Sequence, residues 1–346
     1  MIEVKNLVKK YGNHVAVNNL SFTVEDGQVY GFLGPNGAGK STTMNMIIGY
    51  LSATEGEILV DGHDVFEEPE KAKKCIGYLP ENPPLYVDMT VYEYLKFVAE
   101  LKKVPKKDRM SQIEKVMKMT HIEDVQGRLI KYLSKGYRQR VGLAQAILGF
   151  PKIIILDEPT VGLDPKQIIE IRKLITELSK NHTIILSSHI MQEISAVCDH
   201  ILIINKGQLV AEGSPEELAE MATGSQEVSL RIKGEKSKVE KVINALKHIH
   251  RKEYKETVEE GTVEVLLFAD QEHDIREQVF YSFAKENLPI LHMHAIVKSL
   301  EEVFLEVTTD SKGEKKLLAH KETQETAEEK ATSVELEKSI EKESEE

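Results

Sequence analysis

The chain has 346 residues, a formal net charge of −12 and two cysteines. That length allows two domains, the acidity argues against a nucleic-acid partner held by bulk charge, and Cys75 and Cys198 are too few for a disulfide framework. The opening "MIEVKNLVKKYG" is strand-like rather than a leader, and the apolar runs fall far short of the roughly 18 residues of a membrane span, so a soluble, cytoplasmic protein is expected.

Through about residue 220, short β-like runs alternate with helical patterns, which predicts an α/β domain. "VYGFL" (29–33), "KIIIL" (152–156), "TIILSS" (183–188) and "HILIIN" (200–205) are near-continuous apolar runs, as expected of strands buried on both faces of a parallel sheet. "GQLVAEGSPEELAE" predicts a hairpin end followed by a helix, with Ser214 as its cap and Pro215 at its first position. Residues 221–227 read as a linker.

Beyond the linker the order changes. The spacing predicts strand 227–232, helix 237–250, strand 253–258, strand 262–268, helix 271–286 and strand 290–297, the β-α-β-β-α-β order of a ferredoxin-like module. Val239, Val242, Ile243, Leu246 and Ile249 form one apolar helical stripe, and Ile275, Val279, Phe280 and Phe283 another. A last helix is expected from Ser299, with Glu302 completing a capping box. From Thr309 onward 12 acidic residues face 7 lysines with almost no apolar surface to offset chain entropy, so a disordered tail is expected. The expected domains are thus 1–221, 222–308 and a tail 309–346. His292 and His294 share one strand face and read as ordinary surface rather than a metal site, and "LKKVPKKDR" (101–109) reads as a solvated helix end.

The stretch "GFLGPNGAGKST" (31–42) carries the first chemistry. Gly34, Gly39, Lys40 and Ser41 match the phosphate-binding pattern G-x-x-x-x-G-K-[ST], standing after a strand and before a helix as that loop requires. Gly34, Gly37 and Gly39 let backbone N–H groups converge on phosphate oxygens, and the helix start adds its positive dipole end. Lys40 is predicted to reach the β- and γ-phosphates of a nucleoside triphosphate, and Ser41 to bind Mg²⁺. The binding loop comprises Gly34, Asn36, Gly37, Ala38, Gly39, Lys40, Ser41 and Thr42. "KIIILDEPTVGLDP" then delivers Asp157 and Glu158 to the end of a buried strand, where ligands sit in open α/β sheets. Asp157 suits the Mg²⁺ site, and Glu158 is placed to polarise the attacking water. His189 ends a second strand and is expected at the γ-phosphate.

With these pieces in order, the chain resembles the ATP-binding subunit of an ATP-binding cassette (ABC) transporter. The loop is similar to the family's Walker A and "IIILDEP" to its Walker B. "LSKGYRQRVGLAQAIL" (133–148) is similar to the LSGGQ signature and its helix, "GLDP" (162–165) to the D-loop and "SSHIMQE" (187–193) to the switch-histidine segment. The resemblance spans about residues 2–220 and implies a P-loop cassette with a parallel-sheet core. It implies that Tyr11 stacks on adenine, and that Ser134 and Gly136 close on the nucleotide of a second subunit, with Asp164 across that interface. Ser134 also reads as a helix N-cap in its own right. A homodimer around two ATP follows.

Two motifs depart from the family pattern. Lys135 and Tyr137 replace the signature's usual Gly and Gln, and Glu81 replaces the Q-loop glutamine. A carboxylate still binds Mg²⁺ but has no amide hydrogen to donate. "KSLEEVFLEVT" (298–308) is similar to the end of ATPase subunits paired with ABC-2-type export permeases, including drug or sodium efflux and gliding-motility systems. The resemblance therefore implies a separate integral membrane permease as partner, and export. The rival reading is a soluble ABC ATPase acting on ribosomes or nucleic acid. It is disfavoured by the single cassette, by fewer than a hundred residues between Walker A and signature, and by the acidity.

Overall fold

A computed structural model describes residues 1–222, 226–255, 259–270, 273–296, 302 and 304. Residues up to Pro215 form one compact unit and those from Glu216 a second. In chain order the first unit contains β1 (Ile2–Tyr11), β2 (His14–Val24), β3 (Val29–Leu33), α1 (Lys40–Ile47), β4 (Glu55–Val60), β5 (His63–Asp64), α2 (Pro69–Lys74), β6 (Ile76–Leu79), α3 (Val91–Leu101) and α4 (Arg109–Met119). It continues with α5 (Lys135–Ile147), β7 (Ile153–Asp157), α6 (Pro165–Ser179), β8 (Thr183–Ser188), α7 (Met191–Ile194), β9 (His200–Asn205) and β10 (Gln208–Gly213), and α8 (Pro215–Ala222) follows.

The apolar runs form a six-stranded sheet in the order β10-β9-β3-β8-β7-β6. Its β6, β7, β8, β3 and β9 pair in parallel, and β10 returns as an antiparallel edge. Every residue of β3, β7 and β8 is buried, as their unbroken apolar character requires. The alternation of β1 and β2 builds a separate antiparallel sheet, β2-β1-β4-β5, which the α/β reading of this region did not contain. Its β1 and β2 alternate buried and exposed positions, a pattern that covers one face of a sheet only. One core joins the two sheets: Leu7, Leu20 and Ile58 from the antiparallel sheet, Phe32, Ile155 and Leu202 from the parallel one, and Met44, Met46 and Ile47 of α1. The helix that carries Lys40 is therefore anchored by apolar packing.

The second unit runs β11 (Gln226–Lys233), α9 (Lys236–Ala245), β12 (Ile249–Lys255), β13 (Thr262–Ala269), α10 (Arg276–Lys285) and β14 (Ile290–Ile296). Its antiparallel sheet has the order β12-β13-β11-β14. Val228, Leu230, Ile232, Val265 and Leu267 pack with Val239, Val242, Ile243, Val279 and Phe283 from the two helices.

Several boundaries differ from expectation. Helix α9 stops at Ala245, and Ile249 opens β12 instead of extending the stripe, because "IHRKEYK" offers no further apolar residue at helical spacing. Phe280 lies exposed while Val279 and Phe283 are buried, since α10 starts at Arg276 and turns Phe280 away from the sheet. Of the expected linker, 221–222 close α8 and 226–227 open β11. The helix expected from Ser299 and the tail from Thr309 lie outside the described residues, apart from Glu302 and Phe304.

Candidate functional site

Residues 34–39 turn from β3 into α1, and the turn is built on backbone that only glycine adopts freely. Gly39 caps α1 at φ +105°, and a Cβ there would stand 2.7 Å from the carbonyl oxygen of Ala16. The following Lys40 is buried, and its Nζ donates to the carbonyl oxygens of Gly34 at 2.7 Å and Pro35 at 3.3 Å. Burial pulls the Lys40 ammonium below its usual range, against the opposing pull of Glu158 and Asp157. A cavity of about 310 Å³ opens over this turn. Of the residues singled out in the sequence, Tyr11, Asn36, Gly37, Ala38, Gly39, Lys40, Ser41, Thr42, Glu81 and Glu158 all line it. His14 and Ala16, which carried no sequence signal, line it as well.

The remaining acid and the histidine reach the cavity through hydrogen bonds. Ser41 Oγ donates to Asp157 Oδ1 at 3.4 Å. Lys40 Nζ lies 3.7 Å from Glu158 Oε1, and His189 Nδ1 lies 2.9 Å from Glu158 Oε2. Glu158 is thus the meeting point of α1, β7 and the segment after β8. It sits in the left-handed region at φ +47°, an unfavourable conformation for a residue with a Cβ. Ser187 holds it there: its Oγ accepts the Glu158 N–H at 2.9 Å and donates to Asp157 Oδ1 at 2.6 Å. A second buried knot lies alongside, where the Glu193 carboxylate accepts from Thr160 Oγ1 and from Ser188 Oγ at 3.0 Å. The sequence reading missed Ser187, Ser188, Thr160 and Glu193. Their one signal was polar side chains in an apolar context, two serines closing an unbroken apolar strand.

Ser134, Gly136 and Asp164 do not line this cavity. Ser134 accepts the Tyr137 N–H at 3.4 Å and caps α5, as its sequence context predicts. Asp164 caps α6 in a reciprocal capping box with Gln167. A Cβ at Gly136 would come 2.7 Å from the Gln167 side chain, so the two helix starts are packed side by side.

The donors around Ser41 are all oxygen: its hydroxyl, the Asp157 carboxylate and, on the same cavity, Glu81. This is the hard-ligand class that Mg²⁺ selects.

Residues 17–161 match the ABC transporter family model. The ABC transporter ATP-binding protein YhcH of Bacillus subtilis (strain 168), itself uncharacterized, is 35% identical over 319 residues, covering 91% of this chain and 98% of that one. This chain belongs to the ABC transporter ATP-binding proteins. The cassette is accordingly an ATPase, and the triphosphate implied by the loop is ATP. The linearmycin resistance ATP-binding protein LnrL of the same organism is 29% identical over 89% of the cassette chain and 98% of its own. The bacitracin transport ATP-binding protein BcrA of Bacillus licheniformis is 39% identical over 61% of the cassette chain and 69% of its own. Among solved structures, an ATP-binding subunit of an ABC transporter superposes with TM-score 0.60 at 30% identity, over 64% of this chain and 93% of that one. The dimeric cassette MJ0796 bound to ADP and Pi superposes with TM-score 0.57 at 26% identity, over 62% and 98%.

Proposed function

We propose that this ATPase dimerises around two ATP and drives a separate integral membrane permease of the ABC-2 type, working as an exporter. The observation that carries the reading is the convergence on one cavity of Lys40, Ser41, Asp157, Glu158 and His189. In the reaction, Tyr11 packs on adenine and the N–H groups of residues 36–42 receive the phosphates. Lys40, already drawn towards Glu158, is drawn instead to the β- and γ-phosphates, which leaves the carboxylate free to take a proton from the attacking water. His189, held against Glu158, reaches the γ-phosphate. Ser41 and Asp157 would hold Mg²⁺ with Glu81 nearby, and the ion supplies charge neutralisation on the transferring phosphoryl group.

Ser134 and Gly136, set away from the cavity of their own chain, serve the nucleotide of the second copy, with Asp164 at that interface. The dimeric MJ0796 relative bound to ADP and Pi supports this arrangement, and the linearmycin and bacitracin relatives support export. Among the described residues no helix is long and apolar enough to cross a membrane, in keeping with a permease on another chain. The cassette then sits at the inner face of the cell membrane through that partner. Exposed Tyr86, edge-on to Phe97 at 5.3 Å, follows Glu81 and offers an aromatic surface for the permease. The proposed domains are a cassette over 1–221 and a ferredoxin-like domain over 222–308, supported by the sheet order of the second unit; the tail 309–346 lies outside the described residues.

The test is capture of partners by Glu158→Gln from gently solubilised membranes with Mg-ATP. The substitution removes the proton acceptor and holds the closed dimer. Recovery of a polytopic membrane protein is expected. Recovery of ribosomal or nucleic-acid-bound proteins with no membrane partner overturns the exporter reading and leaves the ATPase intact.

A further inference from the structure

The second unit carries a group of side chains that the ATPase does not use. His248 and His250 flank the first residue of β12, Asp270 follows the last residue of β13, and His273 lies three residues further on, before α10. The chain itself brings them together. β12 and β13 pair with Ile249 opposite Ala269, and the Asp270 N–H donates to the His248 carbonyl at 3.0 Å. The His273 N–H donates to the Asp270 carbonyl at 3.2 Å. His248 takes a left-handed conformation at φ +63°.

The result is a compact donor set. The imidazoles of His248 and His273 stack with centroids 3.8 Å apart and planes within 9°. His248 Nδ1 lies 3.3 Å from Asp270 Oδ2, and His250 Nδ1 lies 3.6 Å from Asp270 Oδ1. One ligand atom from each of His248, Asp270 and His273 falls within 4.8 Å of the others. Two donors on one tetrahedral zinc, each at 2.0–2.1 Å, stand about 3.4 Å apart, so closing on an ion needs side-chain shifts of roughly 1 Å and rotation of one imidazole out of the stack, because ring-nitrogen lone pairs lie in the ring plane. Among the described residues, Asp270 pairs with these histidines and with no lysine or arginine, so no internal cation competes for its charge.

We propose that His248, Asp270 and His273 bind a divalent transition-metal ion of the zinc class. Imidazole with one carboxylate suits Zn²⁺, Ni²⁺ or Cu²⁺, whereas Mg²⁺ and Ca²⁺ select all-oxygen sets. The site is therefore chemically distinct from the oxygen ligands around Ser41. All of its residues are exposed, so the ion enters without opening the fold. Once bound, it pins the start of β12 to Asp270 and His273, between β13 and α10.

The probe is Zn²⁺ alone, titrated calorimetrically into the full-length, nucleotide-free chain with Mg²⁺ in excess. One saturable Zn²⁺ per chain that Mg²⁺ does not displace is expected. His273→Gln and His248→Asn, the latter chosen because asparagine tolerates the left-handed backbone, each lower the affinity by at least about tenfold, the loss that follows even from removing an outer-shell partner of a metal ligand. His292→Ala, on β14, leaves it unchanged. Circular dichroism confirms that each variant is folded, and Asp270→Asn repeats the test where one is not. Absence of saturable binding, binding that survives these substitutions, or displacement by Mg²⁺ overturns the proposal.

Discussion

Replacing Ser187 by alanine removes one hydroxyl that makes two bonds at the centre of the proposed ATP site. Its Oγ accepts the Glu158 N–H and donates to the Asp157 carboxylate, and the residue is fully buried. A hydrogen bond to a charged group contributes about 1.5–3 kcal/mol, and the buried N–H left behind costs a further ~1–3 kcal/mol. Relief of the left-handed Glu158 backbone returns about 1–3 kcal/mol. The net loss is roughly 2–3 kcal/mol, which for a unit of this size lowers Tm by about 5–10 °C. Differential scanning calorimetry of the full-length chain reads the shift directly. Because Glu158 loses the contact that fixes its backbone, kcat for ATP hydrolysis falls alongside, while Lys40 and the loop continue to bind ATP. A Ser187→Ala chain that melts within about 1 °C of the parent and hydrolyses ATP at the parental rate would refute the reasoning.

Glu193→Ala leaves the hydroxyls of Thr160 and Ser188 without their shared acceptor; a loss of about 2 kcal/mol, roughly 4–8 °C in Tm, is expected by the same calorimetry. Gly39→Ala places a Cβ against the Ala16 carbonyl in a left-handed backbone. ATP affinity, measured by equilibrium dialysis, is expected to fall roughly 10- to 100-fold, corresponding to about 1–3 kcal/mol of strain. Lys102 Nζ donates to the carbonyl oxygens of Gln145, Ala146 and Leu148 at 2.7, 3.0 and 2.7 Å, so Lys102→Met uncaps α5 and lowers stability by about 1–2 kcal/mol. Burial pushes the thiols of Cys198 and Cys75 up, with Asp61 adding to the effect at Cys75. Both are expected to resist maleimide in the folded chain at neutral pH and to react fully once it is denatured.

By itself the sequence determined the residues whose position depends on local chain geometry. The loop from Gly34 to Thr42 is legible because glycine spacing, a preceding apolar strand and a following helix start are all local constraints. Asp157 and Glu158 are legible because an unbroken apolar strand must end at the sheet's rim. Capping by Ser134 follows from one residue and its neighbours. The second unit's order of strands and helices was also legible, though α9 ended earlier than its stripe suggested.

Tertiary structure alone decided which distant residues meet. Ser187 stands 30 residues from Asp157 in sequence, and only the parallel pairing of β7 with β8, Asp157 opposite Ser187, makes them partners. The antiparallel sheet is completed when β4 pairs with β1 across more than 40 residues, Ile2 opposite Val60, which no local pattern encodes. Lys102, part of a basic run that reads as solvated, caps a helix more than 40 residues away. The histidines beside Asp270 carry no spacing signal because β12 and β13 bring them together across 22 residues. Local propensity writes the elements and their ends. Long-range pairing, driven by burial of the apolar faces, writes the contacts between them.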